Sequence, residues 1–218
     1  CPKKVTADSG IDALTHAIEA FTAVDNEIFP LPEGQKSVYQ GRHFFGSMVA
    51  EKAIRLCGSY LKRAVQDGGD HEAREGMAMA ATLGGLAFSN VGVAAVHALE
   101  YPVGGAVHCS HGEGNGLLLP FVMRFNMPGR KKEFGWIANW LGVDTNGMNE
   151  DVAAEAAITA INQLKQDIGI PERLRDLGVR EDQLRTFAEK SHAIVRIMRV
   201  NPRVATVEDL EGILRQAW

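Results

Sequence analysis

Two pairs of side chains in this sequence have the chemistry of metal ligands. Asp12 and His16 are four residues apart, so in a helix both side chains point to the same face. His97 follows four apolar residues, a setting in which an imidazole needs a partner, and His111 comes after a glycine-rich stretch. One carboxylate and three neutral imidazoles suit a borderline divalent ion such as Fe²⁺ or Zn²⁺. With such an ion the site would carry a net charge of about +1, the sign that binds an alkoxide.

Each of these residues also has a purely structural interpretation. Asp12 lies three residues after Ser9, in the spacing of a loose capping box, and could serve only the start of its own helix. His16 and His97 could be core histidines whose nitrogens are satisfied by neighbouring groups. The spacing alone leaves the metal site and the structural interpretation open.

The elements that must position these residues are predicted to be helices. Apolar residues recur with helical spacing through most of the chain, and no convincing alternation of strand type is present. We therefore expect an all-α fold, a bundle of about eight to ten helices over residues 1–218. Residues 1–7 are predicted to be a connection and residues 102–116 a glycine-rich loop. The predicted helices cover residues 10–24, 35–66, 71–88, 93–100, 131–141, 150–168, 181–196 and 206–216, with a short helix opening at Pro171.

The composition excludes several classes of protein. The chain has 218 residues, 45% of them hydrophobic, which is enough for a substantial core. A net charge of −4 without a basic patch gives no sign of nucleic-acid binding, and no apolar run is long enough to cross a membrane. Three cysteines without C-x-x-C spacing favour a reducing compartment, so we expect a cytoplasmic protein. No signal peptide is evident, and the first residue is Cys, which suggests a piece of a longer chain.

Three segments resemble, in order and in spacing, the C-terminal domain of the iron-containing (group III) alcohol dehydrogenases. They are G-I-D-A-L-T-H-A-I-E-A-F, then F-S-N-V-G-V-A-A-V-H-A-L-E-Y-P-V-G-G, then H-G-E-G-N-G-L-L-L-P. A late N-P-R at 201–203 also matches. The resemblance covers essentially the whole chain and implies the helical domain that this family shares with dehydroquinate synthase.

The resemblance also implies the roles of particular residues. The family's metal ligands fall on Asp12, His16, His97 and His111. Related glycerol dehydrogenases and dehydroquinate synthase commonly lack the histidine at position 16, so its presence favours the alcohol dehydrogenase branch. Many members carry a further histidine, thought to move protons, where this chain has Tyr101, which is therefore the candidate catalytic residue.

Another departure from the family pattern is Glu113, which stands where a small or apolar residue is usual. Together with Tyr101 it bears on the proton route and the substrate more than on the metal.

The implied function is that of an NAD(P)-dependent alcohol dehydrogenase, in which a divalent metal, Fe²⁺ or alternatively Zn²⁺, polarises the oxygen of an alcohol or aldehyde. In this family NAD or NADP is held mainly by an N-terminal Rossmann-like domain. G-E-G-N-G at 112–116 does not follow a strand and does not supply that domain. We therefore expect this chain to be the helical partner of such a domain, inactive alone, with a homodimer suggested by analogy.

Other functions stay open at this point. The substrate could be that of a glycerol dehydrogenase-like or hydroxy acid dehydrogenase in the same superfamily. A helical metallohydrolase would usually show an adjacent His-Asp pair, which is missing here. A metal-free helical interaction module would need Asp12 only as a cap and the histidines only as core residues.

Overall fold

The computed structural model describes residues 1–218 and consists of α-helices with three short 3₁₀ turns between them, without a β-strand. The predicted all-α bundle is thereby confirmed. Asp25 and Arg42 form one isolated parallel bridge. None of the helices has by itself both the length and the apolar composition of a membrane span, although the sharply bent pair His71–Val91 and Ala95–Val107 has them together. The helices are α1 Lys3–Thr22, α2 Phe44–Gln66, α3 His71–Val91, α4 Ala95–Val107, α5 His111–Trp140, α6 Glu150–Ile168, α7 Leu184–His192, α8 Val195–Met198 and α9 Val207–Ala217.

Helix α1 lies at the centre of the bundle. It packs against α2, α3 and α5, and most of its residues from Thr6 to Thr22 are buried. A helix that is covered on nearly all sides is a core helix, and Ile11 and Leu14 are accordingly fully buried. Any polar side chain on α1 must therefore find its partners inside the protein.

The start of α1 differs from the prediction. The helix begins at Lys3, after Pro2 in extended conformation, so residues 3–7 are not a connection. Ser9 lies inside the helix, where its hydroxyl donates to the carbonyl of Val5 at 2.6 Å. The predicted Ser9–Asp12 capping box is therefore wrong, and Asp12 lies in the middle of a helix. The extra turns form because Thr6, Ala7 and Asp8 are buried, an effect of packing that local spacing does not report.

The glycine-rich stretch 102–116 is also not the predicted loop. Helix α4 continues through Pro102 to Val107, although proline removes one intrahelical hydrogen bond. His108 then adopts a left-handed conformation with φ 57°, and α5 begins at His111. The whole connection is only residues 108–110, and this tight turn sends α5 back alongside α4.

Residues 35–43, predicted to begin a helix, are instead extended or turn-like. Gly41 has φ 76°, a value that a side-chain-bearing residue rarely adopts. Helix α2 therefore begins only at Phe44, where the His43 ring accepts a hydrogen bond from the amide of Gly46.

The later helices agree better with the sequence. Helix α6 has the predicted bounds, with Asn149 as its N-cap, and the capping box of Thr206 and Asp209 opens α9 as predicted. Helix α5 runs through both of its prolines and kinks at Arg130, so the predicted helix 131–141 is the end of a longer one. Pro171 does not open a helix, since the short 3₁₀ turn begins at Leu174. The predicted helix 181–196 is divided into a 3₁₀ turn, α7 and α8.

Two glycines of α5 allow it to lie close to α1. A Cβ at Gly112 would run into the backbone carbonyl of Asp8, and one at Gly116 would lie 2.7 Å from Cγ2 of Ile11. Both contacts would be closer than van der Waals radii permit, so only glycine at these two positions allows α5 to lie this close to α1.

We predict that Gly112→Ala lowers the free energy of unfolding by about 1–3 kcal/mol, since overpacking forces the two helices apart. Gly212→Ala is the matched control, because Gly212 lies in α9 with open space around it. That change should be neutral or stabilising by up to about 1 kcal/mol through helix propensity. Urea denaturation of both variants measures the difference, and equal effects would contradict the close approach of α1 and α5.

Candidate metal centre

Three of the four predicted ligands meet between α1, α4 and α5. The ligand atoms of Asp12, His97 and His111 all lie within 4.8 Å of one another. Nε2 of His97 lies 3.7 Å from Oδ1 of Asp12, and Nε2 of His111 lies 3.9 Å from the same oxygen. The turn at 108–110 makes this possible, because it returns α5 beside α4 and places the second imidazole near the first.

His16 lies beside this group without contributing a nitrogen to it. Its Nδ1 is 3.9 Å from Oδ2 of Asp12, one helical turn earlier. Its ring stacks on Phe88 at 4.3 Å and on His97 at 4.6 Å between ring centres. Burial lowers the pKa of His16 to about 4, against the opposing effect of Asp12. The imidazole is therefore neutral near pH 7, the form that ligates a metal.

Glu19 is a functional residue that the sequence analysis missed. It is almost fully buried, and its carboxylate accepts hydrogen bonds from the backbone amides of Ala94 and Val96 at 2.9 and 2.7 Å. It also lies 2.6 Å from Nδ1 of His97. Since a carboxylate accepts, Nδ1 carries the proton and the lone pair of His97 is on Nε2. That Nε2 is buried without a hydrogen-bond partner.

Glu100 plays the corresponding part for His111. It is buried on α4 and bonds Nδ1 of His111, and this hydrogen bond raises the pKa of that imidazole. Nε2 of His111 therefore faces the group, as does Nε2 of His97. Nδ2 of Asn115 completes the cluster by donating to Oδ1 of Asp12 at 2.7 Å, and it lies 3.1 Å from Nε2 of His111.

A sequence signal for both glutamates exists in retrospect. Glu19 follows Asp12 and His16 at helical spacing, on the same face of α1, and it stands alone in an apolar run. Glu100 comes three residues after His97 and so lies on the same side of α4. An isolated acid in a buried helix is a polar group that must have a partner, and here the partner is in each case a histidine.

The residues present fit a divalent cation. Asp12, Glu19 and Glu100 bring three carboxylates into one partly buried cluster, and their ion-pair partners are histidines alone, with no lysine or arginine within 4.0 Å. The unpartnered Nε2 of His97 faces this same group. Buried carboxylates without a cation are costly, and a metal ion would satisfy both the charge and the lone pair.

The two departures from the family pattern have distinct positions. Tyr101 lies one turn after His97 on α4 and is 43% exposed, with its ring 5.8 Å from that of His111. Burial of its inner side raises the pKa of Tyr101, so the hydroxyl is protonated at neutral pH. Glu113 instead bonds Nζ of Lys4 at 2.6 Å and belongs to an ion pair at the start of α1.

Comparisons with known proteins bear on this centre. The family model described as "Fe-containing alcohol dehydrogenase family, C-terminal" matches residues 41–218. The chain is 38% identical over 217 residues to a 1,3-propanediol dehydrogenase of Citrobacter freundii, covering 100% of the chain and 52% of the relative. It is 35% identical over 216 residues to an NAD-dependent methanol dehydrogenase of Bacillus methanolicus, covering 99% and 52%.

Solved structures agree with these relatives. A 1,3-propanediol oxidoreductase superposes with a TM-score of 0.91 at 37% identity, over 100% of this chain and 53% of that one. An alcohol dehydrogenase from Oenococcus oeni gives 0.88 at 31% identity, over 100% and 52%. The chain thus spans about half the length of the relatives it matches.

We predict that Glu19→Gln weakens divalent-metal binding about 10–100-fold, because His97 loses the carboxylate that holds its tautomer and strengthens its lone pair. Competition titration with a chromophoric chelator measures the dissociation constant. Glu75→Gln on the exposed surface of α3 removes the same charge without touching the cluster and should leave it unchanged. Equal affinities in the two variants would rule out this role for Glu19.

We also predict that the metal-free protein loses stability as the pH falls from 6.5 towards 4. In that interval the unfolded state protonates position 16 at its ordinary pKa, while folded His16, with a pKa of about 4, does not. The slope from this one group is at most about 1.4 kcal/mol per pH unit. His111 acts oppositely, since its raised pKa adds stability that is complete below its unfolded pKa and is lost as the pH rises. Denaturation at pH 7.5, 6 and 5 should show a flatter slope in His16→Gln, and an unchanged slope would refute the low pKa.

Proposed function

This chain belongs to the Fe-containing alcohol dehydrogenase family, and we propose on that premise that it is the metal-binding part of an NAD(P)-dependent alcohol dehydrogenase. The observation that carries the proposal is the meeting of Asp12, His97 and His111 around a buried, unpartnered imidazole nitrogen. The names of its relatives support a small alcohol or the matching aldehyde as the substrate.

We infer that Asp12, His16, His97 and His111 hold the metal, Fe²⁺ by family and Zn²⁺ as the alternative that the same donors suit. When bound, the ion supplies a Lewis acid that polarises the substrate oxygen and lowers the pKa of the alcohol. His16 belongs to this set because its ring is neutral and lies directly beside the three converging atoms.

Neighbouring residues of this chain orient the two imidazoles in the absence of a ligand. Glu19 and Glu100 hold the two imidazoles with their Nε2 atoms inward, so no reorientation is needed on binding. Phe88 covers one face of His16, which excludes water from that side. The buried part of this donor set, His97 with Glu19, lies in a low-dielectric setting that strengthens its electrostatic interactions.

We assign the proton-handling position to Tyr101. Its ring lies beside that of His111, and both side chains are partly exposed to solvent. With its pKa above the ordinary value, the phenol is a proton donor and not a base at neutral pH. It therefore suits protonation of a developing alkoxide better than removal of a proton from an alcohol.

The remaining parts of the proposal concern groups outside this chain. NAD or NADP supplies the hydride acceptor, held mainly by an N-terminal nucleotide-binding domain that would account for the other half of the relatives' length. A homodimer and a cytoplasmic location complete the proposal. The three free cysteines, of which Cys57 is fully buried, are compatible with a reducing compartment.

One rival interpretation is weaker on this structure, and another differs only in its substrate. A metal-free interaction module required Asp12 to be a helix cap, yet α1 begins nine residues earlier, at Lys3. A glycerol dehydrogenase-like or hydroxy acid dehydrogenase activity shares the same site and differs only in the substrate.

We predict that His97→Ala and His111→Ala each lower the bound iron or zinc of the full-length protein at least tenfold, because each removes a converging lone pair. Elemental analysis measures the metal, and NADH formation from 1,3-propanediol measures the activity, which should fall in parallel. His71→Ala is the control, since His71 is exposed at the start of α3. Unchanged metal in the first two variants would show that the site is wrongly assigned.

Residues 1–218 alone should bind metal without NAD-dependent turnover. Measurable turnover would contradict the proposal that the nucleotide is held mainly by an N-terminal domain.

A further inference from the structure

A polar cavity lies away from the metal centre, between α5, α6 and the segment that follows α6. Its volume is about 220 Å³, and none of its lining residues belongs to the metal centre. The lining is mostly polar, with the apolar residues Phe121 and Ile158 on its walls. Three cations and one carboxylate line it, namely Arg124, Lys165, Arg173 and Glu172.

Lys165 is the unusual member of this lining. Its side chain is 97% covered by the protein, with only 3% exposed. The ammonium donates to the carbonyl of Leu117 at 3.1 Å and lies 5.7 Å from the centre of the Phe121 ring. No carboxylate lies within 4.0 Å of it, and this one hydrogen bond uses only one of its three N–H groups. A buried ammonium with two spare donors beside a cavity is costly unless the cavity supplies an acceptor.

The surrounding charges leave the cavity positive. Arg124 is neutralised by a bidentate pair with Glu155, whereas the head group of Arg173 bonds only the carbonyl of Gln216. Glu172 is the single acidic residue of the lining, and its carboxylate accepts from Gln166. Even without Arg124, the two remaining cations outnumber the one carboxylate.

We propose that this cavity binds a small oxyanion, a phosphate or carboxylate group, between Lys165 and Arg173. The ammonium supplies the two free N–H donors, and the amide of Asn162 lines the same space. A volume of about 220 Å³ is sufficient for a phosphate ion or a four-carbon dicarboxylate. The site shares no lining residue with the metal centre, and the proposal does not rest on the proposed dehydrogenase activity.

Binding at this site should be coupled to a proton. Burial lowers the pKa of Lys165 to about 8, with Arg173 lowering it further and Glu172 opposing. Arg124 on α5 is the other charged group of the lining. An anion favours the ammonium, so at pH 8 the complex takes up a fraction of a proton, and affinity declines as the pH rises from 7 to 9.

Isothermal titration calorimetry of the full-length protein tests this coupling. Sulfate and succinate are the probes, because neither changes its charge between pH 7 and 9, and they separate a phosphate-like from a carboxylate ligand. Titration at pH 8 in two buffers of different ionisation enthalpy measures the proton uptake. We expect one saturable site, uptake of a fraction of a proton, and an affinity several-fold weaker at pH 9 than at pH 7. Absence of saturation with both probes overturns the proposal.

Lys165→Met tests the residue itself. This change keeps the length of the side chain and removes the ammonium, and it should weaken binding at least tenfold. Lys190→Met on α7 is the matched control, because Lys190 is exposed and outside the cavity. Equal binding in the two variants overturns the proposal. Should the Lys165 variant not fold, Asn162→Ala and the proton uptake of the unaltered protein decide the question. Metal content measured in the same samples separates this outcome from failure of the metal site.

Discussion

The rest of the site depends on one buried carboxylate that joins α1 to the start of α4. Glu19 on α1 accepts hydrogen bonds from the amides of Ala94 and Val96 and from the ring of His97. Helix α4 has no side-chain cap of its own, and Glu19 accepts from two of the amides at its start and complements its dipole. The same carboxylate determines which nitrogen of His97 is free. Helix docking and ligand orientation thus depend on a single group.

This arrangement explains why the most buried helix carries the chemistry. Along α1 the polar positions 12, 16 and 19 share one face, while Ile11, Leu14 and Ile18 fill the core on the others. Because the helix is rigid and covered, its polar face is held in register with α4 and α5. A loop could not keep three ligand atoms within 4.8 Å of one another without the same number of supporting contacts.

The sequence predicted those features whose causes are local. The spacing of Asp12 and His16, the bounds of α6 and the capping box at Thr206 follow from helical periodicity and cap chemistry, and all are present. The helical conformation of residues 102–107 and the short turn at 108–110 were missed, because glycine and proline indicate a loop locally whereas packing decides here. Gly112 is needed for the approach to α1 and not for flexibility. Only the assembled fold shows that Glu19 has a histidine as its partner.

The two glutamates also change the electrostatics expected of the centre. One carboxylate with neutral imidazoles leaves a divalent ion at about +1, but Glu19 and Glu100 bring the formal sum of the cluster to −1. Both act through an imidazole, since each bonds the Nδ1 side of its histidine. Their charge would therefore reach a bound ion mainly as stronger donation from the ring, and Asp12 would be the only carboxylate among the ligands. The raised pKa of His111 has the same cause. A carboxylate bonded to Nδ1 makes Nε2 a better donor to a metal, and it makes Nε2 more basic towards a proton as well. A bound metal and a proton would thus compete for Nε2 of His111, and the buried Glu100 would increase the affinity for both.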